Sequence, residues 1–135
     1  MTARRASLLA ALMAAVVGTA CGGGDSGGDP TKPVAGELML RLTSPNATDG
    51  ALIVRVVGPV TAVTPVGGYA VSQAIEGNIT RVIVTGDIAS GDLLRLKVPD
   101  VNQVLSYSAN VEQAASRVDY ALFSVSNYSL AIRIP

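Results

Sequence analysis

The chain has 135 residues, with ten Lys/Arg against ten Asp/Glu, no His, no Trp and one Cys. Balanced charge without a basic patch argues against nucleic acid as a partner, since binding to phosphates needs clustered Lys and Arg. Without His or a second Cys there is no ordinary base for a nucleophile and no intramolecular disulfide; the expectation is a protein that is not an enzyme and carries no cofactor or metal.

The first 21 residues have three parts. Arg4 and Arg5 give a positive start, Ala6 to Val17 is an uncharged and mostly apolar run, and Gly18-Thr19-Ala20 are small residues before Cys21. That is the plan of a secretory signal peptide. The apolar run is short of the roughly 20 residues that a membrane-crossing helix needs. A permanent N-terminal membrane helix is the alternative.

Residues 1–21 resemble the signal of bacterial lipoproteins, which is cut just before a cysteine that then carries lipid. Gly18 stands where that family favours leucine. The resemblance implies cleavage after residue 20, a diacylglyceryl group on the Cys21 sulfur and an acyl group on its amine. Acylation would also account for an unpaired cysteine in an exported protein. Two or three acyl chains hold stably in a bilayer where one holds weakly. Residue 22 is Gly, not the Asp that retains many such proteins in the inner membrane, so the family pattern points to the outer membrane. A plain signal peptide cut elsewhere, leaving a free thiol, is the other reading.

Residues 21–36 continue as GGGDSGGDPTKPVAG after the cysteine. Glycine, proline and charge without apolar periodicity make a flexible tether, with an end-to-end distance of about 20 Å. Two motifs inside it are set aside. Gly24-Asp25-Ser26-Gly27-Gly28 looks like a serine-protease nucleophile segment, but the chain has no His to activate the serine. Gly22, Gly24 and Gly27 fit G-x-G-x-x-G, which has meaning only between a strand and the helix it opens.

Residues 37–135 form the domain. It holds eight acids and seven bases, a net of −1, and is rich in Val, Leu and Ile. Alternation of apolar and polar residues predicts strands. Over 37–43, Leu38, Leu40 and Leu42 share a face; over 51–57, Leu52, Val54 and Val56 do. Ser44 to Gly50 is turn chemistry. A strand over 60–66 contains Pro65, which suits an edge. Tyr69, Val71 and Ile75 share a face of the next strand, and Glu76-Gly77-Asn78 turns. Over 79–85 both faces are partly apolar, which suggests a central strand. Leu94, Leu96 and Val98 line one face of 92–98. Residues 110–122 fit either strand or helix spacing, through Val111, Ala114, Ala115, Val118 and Leu122; two strands, 104–113 and 118–123, are preferred. Tyr128, Leu130, Ile132 and Ile134 alternate in the last strand.

Eight or nine short strands separated by turns predict an all-β domain. The expectation is a two-sheet antiparallel sandwich of immunoglobulin, cohesin-like or jelly-roll type, with a closed barrel as the alternative. The segment order resembles cohesin-type β-sandwiches of bacterial surface proteins through LMLRLTSPNATDGALIVRV, GDIASGDLLRLKV and YSLAIRI. That resemblance implies a non-catalytic binding module with a protein or carbohydrate partner.

Candidate ligand contacts are the four tyrosines, Tyr69, Tyr107, Tyr120 and Tyr128, as a stacking platform for sugar. Asp87 and Asp92 flank a turn where a calcium ion would want six to eight oxygens. Solvated loop acids and core tyrosines are the simpler readings. Two Asn-x-Thr sequons, at Asn46 and Asn78, carry no meaning in a bacterial host. Three functions stay open: a lipid-anchored binding or scaffolding module of the envelope, an accessory subunit that pairs through a strand edge, and a hydrolase using two carboxylates.

Overall fold

The computed structural model describes residues 32–135. The signal segment, Cys21 and residues 22–31 of the tether lie outside the described residues.

Nine strands form among the described residues: β1 (Gly36–Thr43), β2 (Asp49–Val57), β3 (Ala62–Pro65), β4 (Ala70–Glu76), β5 (Ile79–Ile88), β6 (Gly91–Val98), β7 (Ser108–Ser116), β8 (Leu122–Phe123) and β9 (Ser129–Arg133). A short 3-10 helix, Val101–Ser106, joins β6 to β7. The strands make two antiparallel sheets, one in the order β3-β6-β1-β9 and the other β4-β5-β2-β7-β8. The sandwich is formed and the barrel is not. β3 lies at a sheet edge, as Pro65 requires, since proline cannot donate to a ladder.

The alternation decides which faces meet. Leu38, Leu40 and Leu42 of β1, with Leu94, Leu96 and Val98 of β6, pack against Leu52, Val54 and Val56 of β2 and Val82 and Val84 of β5. All are essentially withdrawn from water, and each such side chain contributes about 1.5–3 kcal/mol of transfer free energy. β5 is an inner strand, but its Ile83 face is turned to solvent, not covered.

Residues 101–123 depart from the expected pattern. Val101–Ser106 is helical where a strand was expected from 104, and 117–121 is a turn, so the strand expected over 118–123 shrinks to β8. The ambiguity over 110–122 has a physical origin. In β7, Val54 of β2 faces Val111 while Ile53 faces Gln113, so Glu112 is an extra residue in the ladder. This β-bulge shifts the side-chain period by one. The buried positions therefore run Val111, Ala114, Ser116, and the three-residue step imitates helix spacing. A second bulge, at Leu93, lets the successive residues Leu93 and Leu94 both be buried.

Because every pairing is antiparallel, the loops sort to two ends. The end where β1 begins also holds 58–61, 77–78 and 99–107. The far end holds 44–48, 66–69, 89–90 and 117–121. Ordered contacts begin before Glu37: the Val34 N–H donates to Asp100 Oδ1 at 3.1 Å, and the Val34 carbonyl accepts from Val101 N at 2.8 Å. Asp100 Oδ1 also accepts Asn102 N at 3.0 Å, which caps the 3-10 helix.

Candidate functional site

The far end is built around Asp49, the first residue of β2. Loop residues Ser44 to Thr48 bring the chain from one sheet to the other, and that crossing buries the Asp49 side chain completely. A buried carboxylate needs donors. Tyr128 donates its hydroxyl to Asp49 Oδ1 at 2.5 Å, and the Ser44 hydroxyl donates to Oδ2. Asn46 Nδ2 in turn donates to the Tyr128 hydroxyl at 2.9 Å, and Asn46 N donates to Ser44 Oγ at 3.0 Å. The Ser44 N–H reaches Ser90 Oγ across to the β5–β6 loop at 2.8 Å. Burial, and then the hydrogen bond to the Asp49 carboxylate, hold the Tyr128 phenol above its ordinary value.

Arg117 locks the turn after β7 onto this network. Its backbone N–H donates to the Thr48 carbonyl at 2.8 Å, and its guanidinium Nη1 donates to the carbonyls of Ala47 and Asp49 at 3.2 and 3.4 Å. Its Nε lies 3.4 Å from Asp87 Oδ1. The approach is close enough that a Cβ on Gly50 would sit 2.5 Å from Arg117 Cβ.

The turn and the first residue of β8 present apolar side chains to water. Val118 is 72% exposed, Tyr120 82% and Leu122 68%. Yet the turn's backbone is pinned: Tyr120 N donates to the Ser116 carbonyl at 3.1 Å, Ser116 N to the Ala121 carbonyl at 2.9 Å, and Ala121 N to Asp119 Oδ1 at 3.2 Å. Tyr120 holds φ at 60°, a left-handed conformation that costs a residue with a side chain about 1–3 kcal/mol. Beside the turn, the outer face of the five-stranded sheet carries Ile53, Ile83, Ala51, Ala115 and Leu122 around an open depression of about 150 Å³. The outer face of the other sheet is charged instead, with Arg41 and Arg133 paired to Asp92 and with Arg95 near Glu37.

The sequence-predicted contacts separate accordingly. Tyr120 stands in solvent at the far end. Tyr69, also at the far end, is half-buried; its ring rests on Gly86 and its hydroxyl accepts Ala89 N at 3.4 Å. Tyr128 is buried in the Asp49 network. Tyr107 lies at the opposite end, buried over Gly58, and donates to the Pro59 carbonyl; burial and then the Asp100 charge raise its phenol. The four rings therefore do not share one surface. Asp87 and Asp92 are also divided: Asp87 pairs with Arg117, while Asp92 pairs with Arg133 at 3.1 Å and Arg41 at 3.6 Å on the other sheet. Among the described residues, no group of three or more acidic, His or Cys side chains converges.

Residues that the linear pattern did not mark for a site are Asp49, Ser44 and Arg117, and Asn46 stood out only as part of a sequon. Asp49 was legible only as a turn residue. No local signal marks Arg117, whose carbonyl partners are about 70 positions away and whose carboxylate partner, Asp87, is 30 away. No family model, curated protein or solved structure matches the chain.

Proposed function

We propose that this chain is an envelope lipoprotein, acylated at Cys21 and directed to the outer membrane, whose β-sandwich is a non-catalytic binding module. The lipid anchor rests on the charge, apolar run and small residues before Cys21. The observation that carries the binding role is the turn after β7: Val118, Tyr120 and Leu122 are held exposed on a hydrogen-bonded backbone with strained φ at Tyr120. A rigid exposed aromatic beside aliphatic side chains loses little entropy on contact, which is how binding anchors work. Strand polarity supports the same reading. The chain enters the domain beside Asp100, so a tether ending there holds the opposite end, with this turn, away from the bilayer. A protein partner suits two aliphatic side chains and one ring better than a sugar, which stacks on aromatic faces.

Two experiments test the proposal. Replacing Cys21 with Ser is expected to move the protein from the membrane to the soluble fraction and to abolish the lipid mass on the mature N-terminus. Unchanged membrane association would refute the anchor. Cross-linked partners recovered from detergent-solubilised membranes should be lost from a Tyr120→Ala/Leu122→Ala variant of native stability; recovery at wild-type yield would refute the turn as the binding element.

A further inference from the structure

Four strands close the sides of the sandwich, and three are blunted against pairing. β3 has four residues and ends in Pro65, and its Val63 N–H is already taken by Gln73 Oε1 at 2.8 Å. β8 has two residues. β9 carries Arg133 and lies against β7 of the facing sheet. Short length, proline, charge and cover are the devices that stop an edge from recruiting another strand. β4 has neither the short length nor the proline; its one charge, Glu76, stands at its last residue, and it meets β3 of the facing sheet through the Gln73 bond to Val63 N. It runs seven residues, AVSQAIE, pairs with β5 throughout without a register shift, and contains neither Lys nor Pro. On the side away from β5 its backbone donors and acceptors have no strand partner among the described residues.

The sequence of β4 suits one occupant in particular. We propose that β4 pairs antiparallel with β4 of a second copy, centred on Gln73, joining two five-stranded sheets into one. Only this register pairs all seven residues. It sets Gln73 against Gln73, Ser72 against Ala74, Val71 against Ile75 and Ala70 against Glu76. Glu76 is the one charge on the strand, and here it never meets its like, which would be destabilising. Val71 and Ile75 lie on the core side; Ile75 is 38% exposed in the single chain and would be covered by Val71 of the second copy. The two outer faces, each with Ile53 and Ile83, would then become continuous. This inference is independent of the anchor and of the turn after β7.

The test reads association of the full-length chain in mild detergent by sedimentation over a concentration series. The wild type is expected to move reversibly from one protomer mass to two. Ser72→Glu/Ala74→Glu puts two like-charge pairs across the two-fold axis and should weaken association roughly 2- to 30-fold. Ser72→Lys/Ala74→Glu differs by one residue, turns the same pairs into opposite charges and should restore it. Glu at 74 sits beside Arg81 on β5 in both variants, and the denaturation midpoint of each shows whether the charge at 72 alters the fold itself. Association through residues 1–31 would be blind to the sign at 72. Hydrogen exchange on the wild type gives a second reading, since β4 amides should gain protection as concentration rises. A wild type that stays monomeric, equal association of the two variants, or β4 exchange independent of concentration overturns the proposal.

Discussion

Tyr128→Phe is the sharpest probe of the far-end network, because it removes one oxygen and leaves the ring volume intact. That oxygen donates to Asp49 Oδ1 at 2.5 Å and accepts from Asn46 Nδ2 at 2.9 Å. Asn46 is partly exposed and can turn to water. Asp49 cannot, being wholly buried. The loss is therefore one hydrogen bond to a charged, buried acceptor, about 1.5–3 kcal/mol. For a domain of this size it lowers Tm by roughly 6–24 °C. Chemical denaturation at neutral pH reads the free energy, with Tyr120→Phe as the control, since the Tyr120 ring is exposed and makes no such bond. Alkaline titration adds a second signature. The folded state holds the Tyr128 proton more tightly than the unfolded chain, whose tyrosines titrate near their ordinary pKa of about 10. Its contribution is thus complete below about pH 10 and is lost as pH climbs through the raised folded value. The stability gap between wild type and Tyr128→Phe should narrow over that range. A gap under about 0.5 kcal/mol at neutral pH, against the 1.5–3 kcal/mol expected, would refute the account of Asp49, and a gap that does not change with pH would refute the linkage.

Two further perturbations have opposite signs. Thr80 is fully buried and its hydroxyl has no partner among the described residues, so Thr80→Val should stabilise the domain by about 1–3 kcal/mol, read as a higher denaturation midpoint with unchanged slope; a lower midpoint would mean that the hydroxyl is bonded after all. Gly58 holds φ at 132°, and a methyl group there would overlap the Tyr107 ring. Gly58→Ala should cost about 2–6 kcal/mol from backbone strain and overpacking together, and Tyr107→Ala in the same chain should recover the packing share. Strict additivity of the two substitutions would show that the ring is not what excludes the methyl group.

Legibility along the chain followed the kind of information each element needs. β1, β2 and β6 could be read because their inward leucines and valines recur every second residue, and Pro65 correctly placed β3 at an edge. β7 could not be read cleanly. The extra residue at Glu112 exists only relative to the β2 ladder, and in the linear sequence it shows as helix-like spacing. The apolar residues on both faces of β5 marked it as an inner strand, which it is, although Ile83 looks outward to solvent. The tyrosines were equivalent as letters; one lies over Gly58, one under the Asp49 network, one against Gly86 and one in water.

The sequence by itself determined that the domain is all-β with an aliphatic interior, because the two-residue side-chain period is a property of the extended backbone and needs no partner to be expressed. Only the tertiary structure decided which strands are neighbours, which edge stays open, and that Asp49 meets Tyr128 and Arg117. Those contacts join residues about 70 to 80 positions apart, and their geometry comes from the packing of two sheets against each other.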